Sequence, residues 1–174
     1  MAGLVICRGL KLNIINVIDY CFHSNQYLQS VTLMAEAKIG EYALQNCQNL
    51  QMAIIENDVR EIESKCFEGC GNLESISLGN NVISIGNMAF ENCCCLKHVE
   101  LNSKLKAIGK NAFLNCRNIT KITSHSLVPP SCDDNPFDDI NKWECCLSVP
   151  NSAFNDYKAA NYWNEFFLYD ELLL

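Results

Sequence analysis

Apolar residues recur along this chain at a fixed interval. Segments beginning at Ile39, Ile62, Ile85 and Ile108 align without gaps, each 23 residues after the last, and an earlier copy begins at Ile18, one residue shorter before its phenylalanine. Several columns run through the copies. The first is Ile18, Ile39, Ile62, Ile85, Ile108; the second is Phe22, Leu44, Phe67, Phe90, Phe113; the third is small, Asn25, Cys47, Cys70, Cys93, Cys116. The fourth is Leu28, Leu50, Leu73, Leu96, Ile119, and the fifth is Val31, Ala53, Ile76, Val99, Ile122. A sixth, Leu33, Ile55, Leu78, Leu101, stops at Ser124.

The run from the fourth to the sixth column, as in Leu73 to Leu78, ends in period-two alternation, which predicts a short strand with one buried face. The Ala-Phe segment is compact and ends in Asn-Cys or Gly-Cys, which predicts a turn or a brief helix. One such unit cannot bury its own apolar side, so copies stack and their strands pair in parallel around a continuous core. A 23-residue unit is too short for two packed helices with their turns. Gly40, Gly86 and Gly109 follow the first column and suit either a positive φ or a close backbone approach, although Asp19 and Glu63 stand there in the other copies.

A stacked array needs covered ends. Cys132 and Phe137 fall near the first and second columns of a degenerate sixth copy. Cys145, Leu147 and Val149 alternate as a final strand, and Pro150 with Asn151-Ser152 supplies a stop and a helix N-cap. Ala153 to Trp163 then reads as a capping helix in which Phe154, Tyr157 and Tyr162 cover the last core layer. At the other end Cys7, Leu10, Leu12 and Ile15 resemble the strand half of one more copy. Two readings stay open there: a partial first repeat, or an exposed edge that contacts another chain. The division that follows is a partial repeat over 1–17, five repeats over 18–128, and a degenerate repeat with capping strand and helix over 129–174.

Composition narrows the function. Hydrophobic residues make up 49% of the chain and charged residues 19%, enough for a real core. Thirteen Lys plus Arg against twenty Asp plus Glu leave a net charge of −7, which argues against binding a nucleic-acid backbone. No run reaches the roughly 18 apolar residues of a membrane helix, so no membrane insertion is expected. The first twenty residues, broken by Arg8, Lys11, Asn13 and Asn16, do not read as a signal peptide. Of the twelve cysteines, Cys47, Cys70, Cys93 and Cys116 form one column, and Cys66 replaces the alanine before a phenylalanine. Packing as small apolar groups explains them; a disulfide between adjacent rungs is the alternative, because strand spacing of about 4.8 Å falls inside the Cα window of about 4.4–6.8 Å. No Cys-x-x-Cys pair has zinc spacing, so neither metal nor cofactor is expected.

Strand geometry names the outward residues. One column is Ser30, Met52, Ser75, His98, Lys121, and the other is Thr32, Ile54, Ser77, Glu100, Thr123. This mix of hydroxyls, opposite charges and a small apolar centre suits a binding face. Ser77, His98 and Glu100 superficially suggest a nucleophile, a base and an orienting acid, but a sheet face is expected to lack an obvious pocket, oxyanion donors or water exclusion, so no enzyme is expected. Asp133, Asp134, Asp138 and Asp139 lack the spacing of a calcium loop and read as a solvated acidic segment. Asn118-Ile119-Thr120 fits a glycosylation acceptor, yet Asn118 shares a column with Asn49 and Asn72 that suits a turn hydrogen bond.

The motif Ile-Gly-x-x-Ala-Phe-x-x-Cys-x-x-Leu-x-x-Ile-x-Leu, clearest in Ile85 to Leu101 and Ile62 to Leu78, resembles the BspA-type (treponemal) leucine-rich repeat of bacterial and protist surface proteins. Pro129-Pro130, Asn135-Pro136-Phe137, Leu147-Ser148-Val149-Pro150 and the Tyr157-to-Trp163 segment resemble the family's C-terminal end, so the likeness covers roughly residues 15 to 167. It implies a leucine-rich-repeat solenoid, an α/β repeat of right-handed coil with parallel strands on one face and short helical or irregular segments on the other. It also implies a cell-surface or secreted adhesin-type module that binds another protein or a glycan. The alternatives are a structural spacer of a larger surface protein and, behind it, a hydrolase. Departures lie at Leu44 in place of phenylalanine and at Cys94-Cys95, where asparagine fits the pattern.

Overall fold

The computed structural model describes residues 17–34 and 38–172. Each of the five middle turns contributes one strand of two residues and one longer strand, and the two ends add a longer strand each. The longer strands are β1 (Ser30–Leu33), β3 (Met52–Ile55), β5 (Ser75–Ser77), β7 (His98–Leu101), β9 (Lys121–Ser124), β11 (Cys146–Pro150) and β12 (Leu168–Leu172), and they form one sheet in the order β1-β3-β5-β7-β9-β11-β12. The short ones are β2 (Lys38–Ile39), β4 (Glu61–Ile62), β6 (Ser84–Ile85), β8 (Ala107–Ile108) and β10 (Ser131–Cys132), which make a second sheet. All pairings are parallel and most join equivalent residues of successive copies, as in Val99 with Ile122 and Ile62 with Ile85. The chain is therefore a parallel-strand solenoid whose first-column isoleucines sit on their own narrow sheet.

The first copy starts one residue earlier than the isoleucine pattern suggests. Val17 is 4% exposed and bridges to Ile39, whereas Ile18 is 67% exposed. Phe22 lies five residues after Val17, as Leu44 does after Ile39, so the shortening falls between Leu33 and Ile39. The partial repeat expected over residues 1–17, with its open edge, falls almost wholly outside the described residues.

The Ala-Phe segments are turns, with no helix in any copy. Two residues per copy hold a left-handed φ: Tyr42 and Asn46, Lys65 and Gly69, Met88 and Asn92, Asn111 and Asn115. A helix cannot run through such residues. Their backbone groups bond across to the next copy instead, as Phe67 N donates to Ala89 O at 2.8 Å and Phe90 N to Ala112 O at 2.8 Å. The Asn or Gly of each Asn-Cys or Gly-Cys pair is the second left-handed residue. Close approach, with φ negative, explains the glycines after the first column: a Cβ on Gly86 would meet Ser64 N at 2.6 Å, and one on Gly109 would meet Asn87 N at 2.6 Å.

Two ladders fill the interior. Phe67, Phe90, Phe113 and Phe137 stack nearly parallel, with centroids 5.1, 5.2 and 6.1 Å apart, and Trp163 and Phe166 close the column edge-on against Phe137. Beside them, each cysteine of the third column donates its thiol to a backbone carbonyl of the preceding copy: Cys47 to Phe22 at 3.1 Å, Cys70 to Leu44 at 3.1 Å, Cys93 to Phe67 at 3.3 Å and Cys116 to Phe90 at 3.0 Å. The described cysteines are free thiols. Burial pushes Cys66 and Cys93 well above the ordinary thiol range, and Cys132 and Cys145 up to about 12.

The C-terminal end differs from the expected strand and long helix. β11 is followed by β12, which pairs along its length and lies at that end of the sheet. The one α-helix among the described residues, α1, spans only Phe154–Ala159, because Ala160 turns extended and Tyr162 adopts φ 67°. Pro150 leads straight from β11 into a 3-10 turn over Asn151–Ala153, so neither Asn151 nor Ser152 caps a helix. Tyr157 is fully buried as expected, Phe154 and Tyr162 only partly, and Trp163 takes the place foreseen for Tyr162. The sixth column stops at Ser124 because its Oγ meets the Tyr157 hydroxyl at 2.7 Å.

Candidate functional site

The outward face of the main sheet is built by register. Ser75 pairs with His98 and His98 with Lys121, and Glu100 pairs with Thr123, so the outward columns run side by side across β3 to β9. Met52 (46% exposed), Ser75, Ser77, His98 and Glu100 are exposed, while Ser30, Ile54, Lys121 and Thr123 are half-buried. Thr32 departs from this pattern. It is 5% exposed, and its register partner Ile54 is a larger side chain on the same face. Alternation fixes which face a residue takes, whereas exposure depends on the size of its neighbours.

The Ser77, His98 and Glu100 grouping is not the one the structure brings together. Glu100 Oε1 lies 2.8 Å from His125 Nε2, and Ser77, Asn80 and Asn102 join these two around a shallow pocket of about 220 Å³. No hydrogen bond joins Ser77 to either histidine among the described residues. Asn102 is committed to structure, donating to the carbonyls of Gly79 at 2.8 Å and Val82 at 3.0 Å. His125 escaped the sequence reading because it falls one residue beyond the sixth column. The signal for it was the break at Ser124, which marks where the repeat's end changes.

The other candidates resolve into local structure. Asp134 pairs with Lys110 at 2.9 Å, which holds its carboxyl below the usual range; Asp139 lies 3.9 Å from Arg117, and Asp138 accepts from Asn135 at 2.6 Å. Asn118 Nδ2 donates to Cys94 O at 2.7 Å, matching Asn49 to Gln26 and Asn72 to Gln48, so the Asn column is a ladder of turn hydrogen bonds. No helix of the described residues is long and apolar enough to cross a membrane.

The model of the BspA type leucine rich repeat region matches residues 15–144 in six copies. Among solved structures, the chain is similar to a leucine rich repeat protein of T. pallidum, at 26% identity and a TM-score of 0.59 over 63% of this chain and 52% of that one. It is also similar in fold to a leucine-rich repeat protein of Bacteroides ovatus, at 24% identity and a TM-score of 0.67 over 95% of this chain and 43% of that one. The chain thus spans about half the length of these structures. Curated proteins yield no match. Repeat register, turn geometry and family model agree, and the chain belongs to the BspA-type leucine-rich-repeat family.

Proposed function

We propose that this chain is an interaction module of a cell-surface or secreted protein, which recognises another protein or a glycan through the outward face of its main sheet. One observation carries this reading: the exposed Met52, Ser75, Ser77, His98 and Glu100 stand on adjacent strands whose spacing is fixed by backbone pairing. A face held that rigidly loses little freedom on binding. It mixes apolar, hydroxyl and charged groups, the composition of a recognition surface.

Site-specific photocrosslinkers placed at Ser75 and His98, and separately at Arg117 and Gln48 on the turns, test the reading against candidate surface extracts. Adducts should form from the sheet positions and be lost with Met52→Asp. Adducts confined to the turn positions would refute the sheet-face assignment. A glycan array run on the same protein separates the two partner classes.

A further inference from the structure

Loops 78–83, 102–106 and 125–130 join the main sheet to the second sheet in successive turns. On a chain with a net charge of −7, these three contain no Asp or Glu, yet they carry Lys104 and Lys106. The preceding loop, 56–60, holds Glu56 and Asp58, so the acid-free stretch has a boundary. The third loop also breaks the repeat: Leu101 and Ile108 are 7 residues apart, whereas Ser124 and Cys132 are 8 apart. Between it and its neighbours lies a groove of about 520 Å³, with Ile83, Leu105, Val128 and Pro129 as apolar lining and Lys104 and Lys106 beside them.

The outer wall of this groove is held from behind. Tyr157 donates its hydroxyl to Ser126 O at 3.2 Å, Trp163 Nε1 donates to Pro130 O at 2.9 Å, and Ser126 Oγ donates to Val128 O at 2.7 Å. Val128 nevertheless stands 72% exposed, and Leu127 beside it 58% exposed. A fixed wall with outward apolar side chains is a surface shaped for contact. Lys104 Nζ has a neutral partner, Asn81 Oδ1 at 2.6 Å, so its charge is not neutralised there.

The geometry points to a second binding site, independent of the sheet face: this groove takes an extended segment of a partner protein that seats an apolar side chain between Ile83 and Val128, above the buried Leu105, and flanks it with Asp or Glu. Charge complementarity selects the occupant. The lysines attract carboxylates, and the chain's own net negative charge disfavours a second copy of itself.

Fluorescein-labelled decapeptides with a central leucine pair flanked by glutamate, lysine or serine test this by anisotropy at low and raised salt. The glutamate peptide should bind tightest and lose affinity as salt rises. Lys104→Glu should weaken it about fivefold or more, Val128→Asp similarly, and Lys97→Glu, which changes the charge by the same amount as Lys104→Glu but lies outside the groove, within about twofold. Matching melting curves for all variants show that each is folded. No binding of the glutamate peptide, equal binding of the lysine peptide, or equal weakening by Lys97→Glu would overturn the proposal. None of these outcomes bears on the sheet face, whose own test is the crosslinking above.

Discussion

The asparagine ladder has one missing rung, and restoring it gives a sharp test of the repeat's energetics. Asn49, Asn72 and Asn118 each donate Nδ2 to a carbonyl of the preceding copy at 2.7 Å, and the equivalent residue of the fourth copy is Cys95. The acceptor that its place in the ladder offers is Gly71 O, which already takes the Cys95 backbone N–H at 3.1 Å. A carbonyl has two lone pairs, so Cys95→Asn adds a second bond and does not rescue an orphan group. Its net gain is therefore at the low end for a hydrogen bond, about 0.5–1 kcal/mol. In a chain of this size that raises Tm by about 1–4 °C. Cys95→Ser, whose hydroxyl is too short to reach, should not raise it, and Asn72→Ala should lower stability by about 0.5–1.5 kcal/mol. Urea and thermal unfolding followed by circular dichroism measure all three. A Cys95→Asn protein no more stable than Cys95→Ser, beside a neutral Asn72→Ala, would refute the view that these bonds stabilise the stack.

Three further outcomes follow from the core. Cys66, Cys93, Cys132 and Cys145 stay protonated in the fold at pH values where unfolded thiols ionise; their raised pKa values contribute stability below the unfolded pKa of about 8.5, and it is lost as pH rises from there toward about 12, at up to about 1.4 kcal/mol per pH unit per thiol. Urea midpoints that hold steady from neutral pH through that window would contradict this. Phe113→Ala removes a ring stacked between Phe90 and Phe137 and should cost about 3–5 kcal/mol by chemical denaturation, with Phe113→Leu costing less. Limited alkylation near neutral pH should modify exposed Cys94 well before buried Cys66 or Cys93, as peptide mass mapping reads directly.

Much of the fold was legible because core columns repeat. Leu73, Ile76 and Leu78 sit where alternation requires, and Cys132 and Phe137 join their columns in spite of a degenerate copy. The parts that were not legible have definite causes. Strands β2 to β10 of the second sheet hold two residues each, too few to show any alternation. The left-handed positions at Tyr42, Lys65 and Met88 carry side chains that do not advertise such a conformation; the bonds between copies hold them there. Val17 hid behind Ile18 because both are apolar and only Phe22 sets the register. β12 has polar Asp170 and Glu171 at its centre, so its sequence does not read as a strand, although it lies parallel to β11. On the sheet face, register was legible and neighbours were not. Hence Thr32 is covered, and Glu100 turns to His125 and not to His98.

Repetition also locates the candidate sites by their departures from it. A leucine at 124 would fill the core as it does at 101; the serine there leaves room for the Tyr157 hydroxyl, which bonds both Ser124 and Ser126 O. Ser126 in turn holds Val128, the outer wall of the groove, so the cap helix and the groove are parts of one network. Tyr157→Phe keeps the ring and deletes only the hydroxyl. It leaves Ser124 Oγ and Ser126 O without that partner in a dry site, costing about 1–3 kcal/mol. The loop then gains freedom, so the glutamate peptide should bind more weakly at the groove, although residue 157 does not line it. Ser124→Ala removes one end of the same bond but leaves Tyr157 free to hold Ser126, so it should lower stability while sparing peptide affinity. Equal loss of affinity in the two variants would show that general destabilisation, and not the wall's support, sets binding.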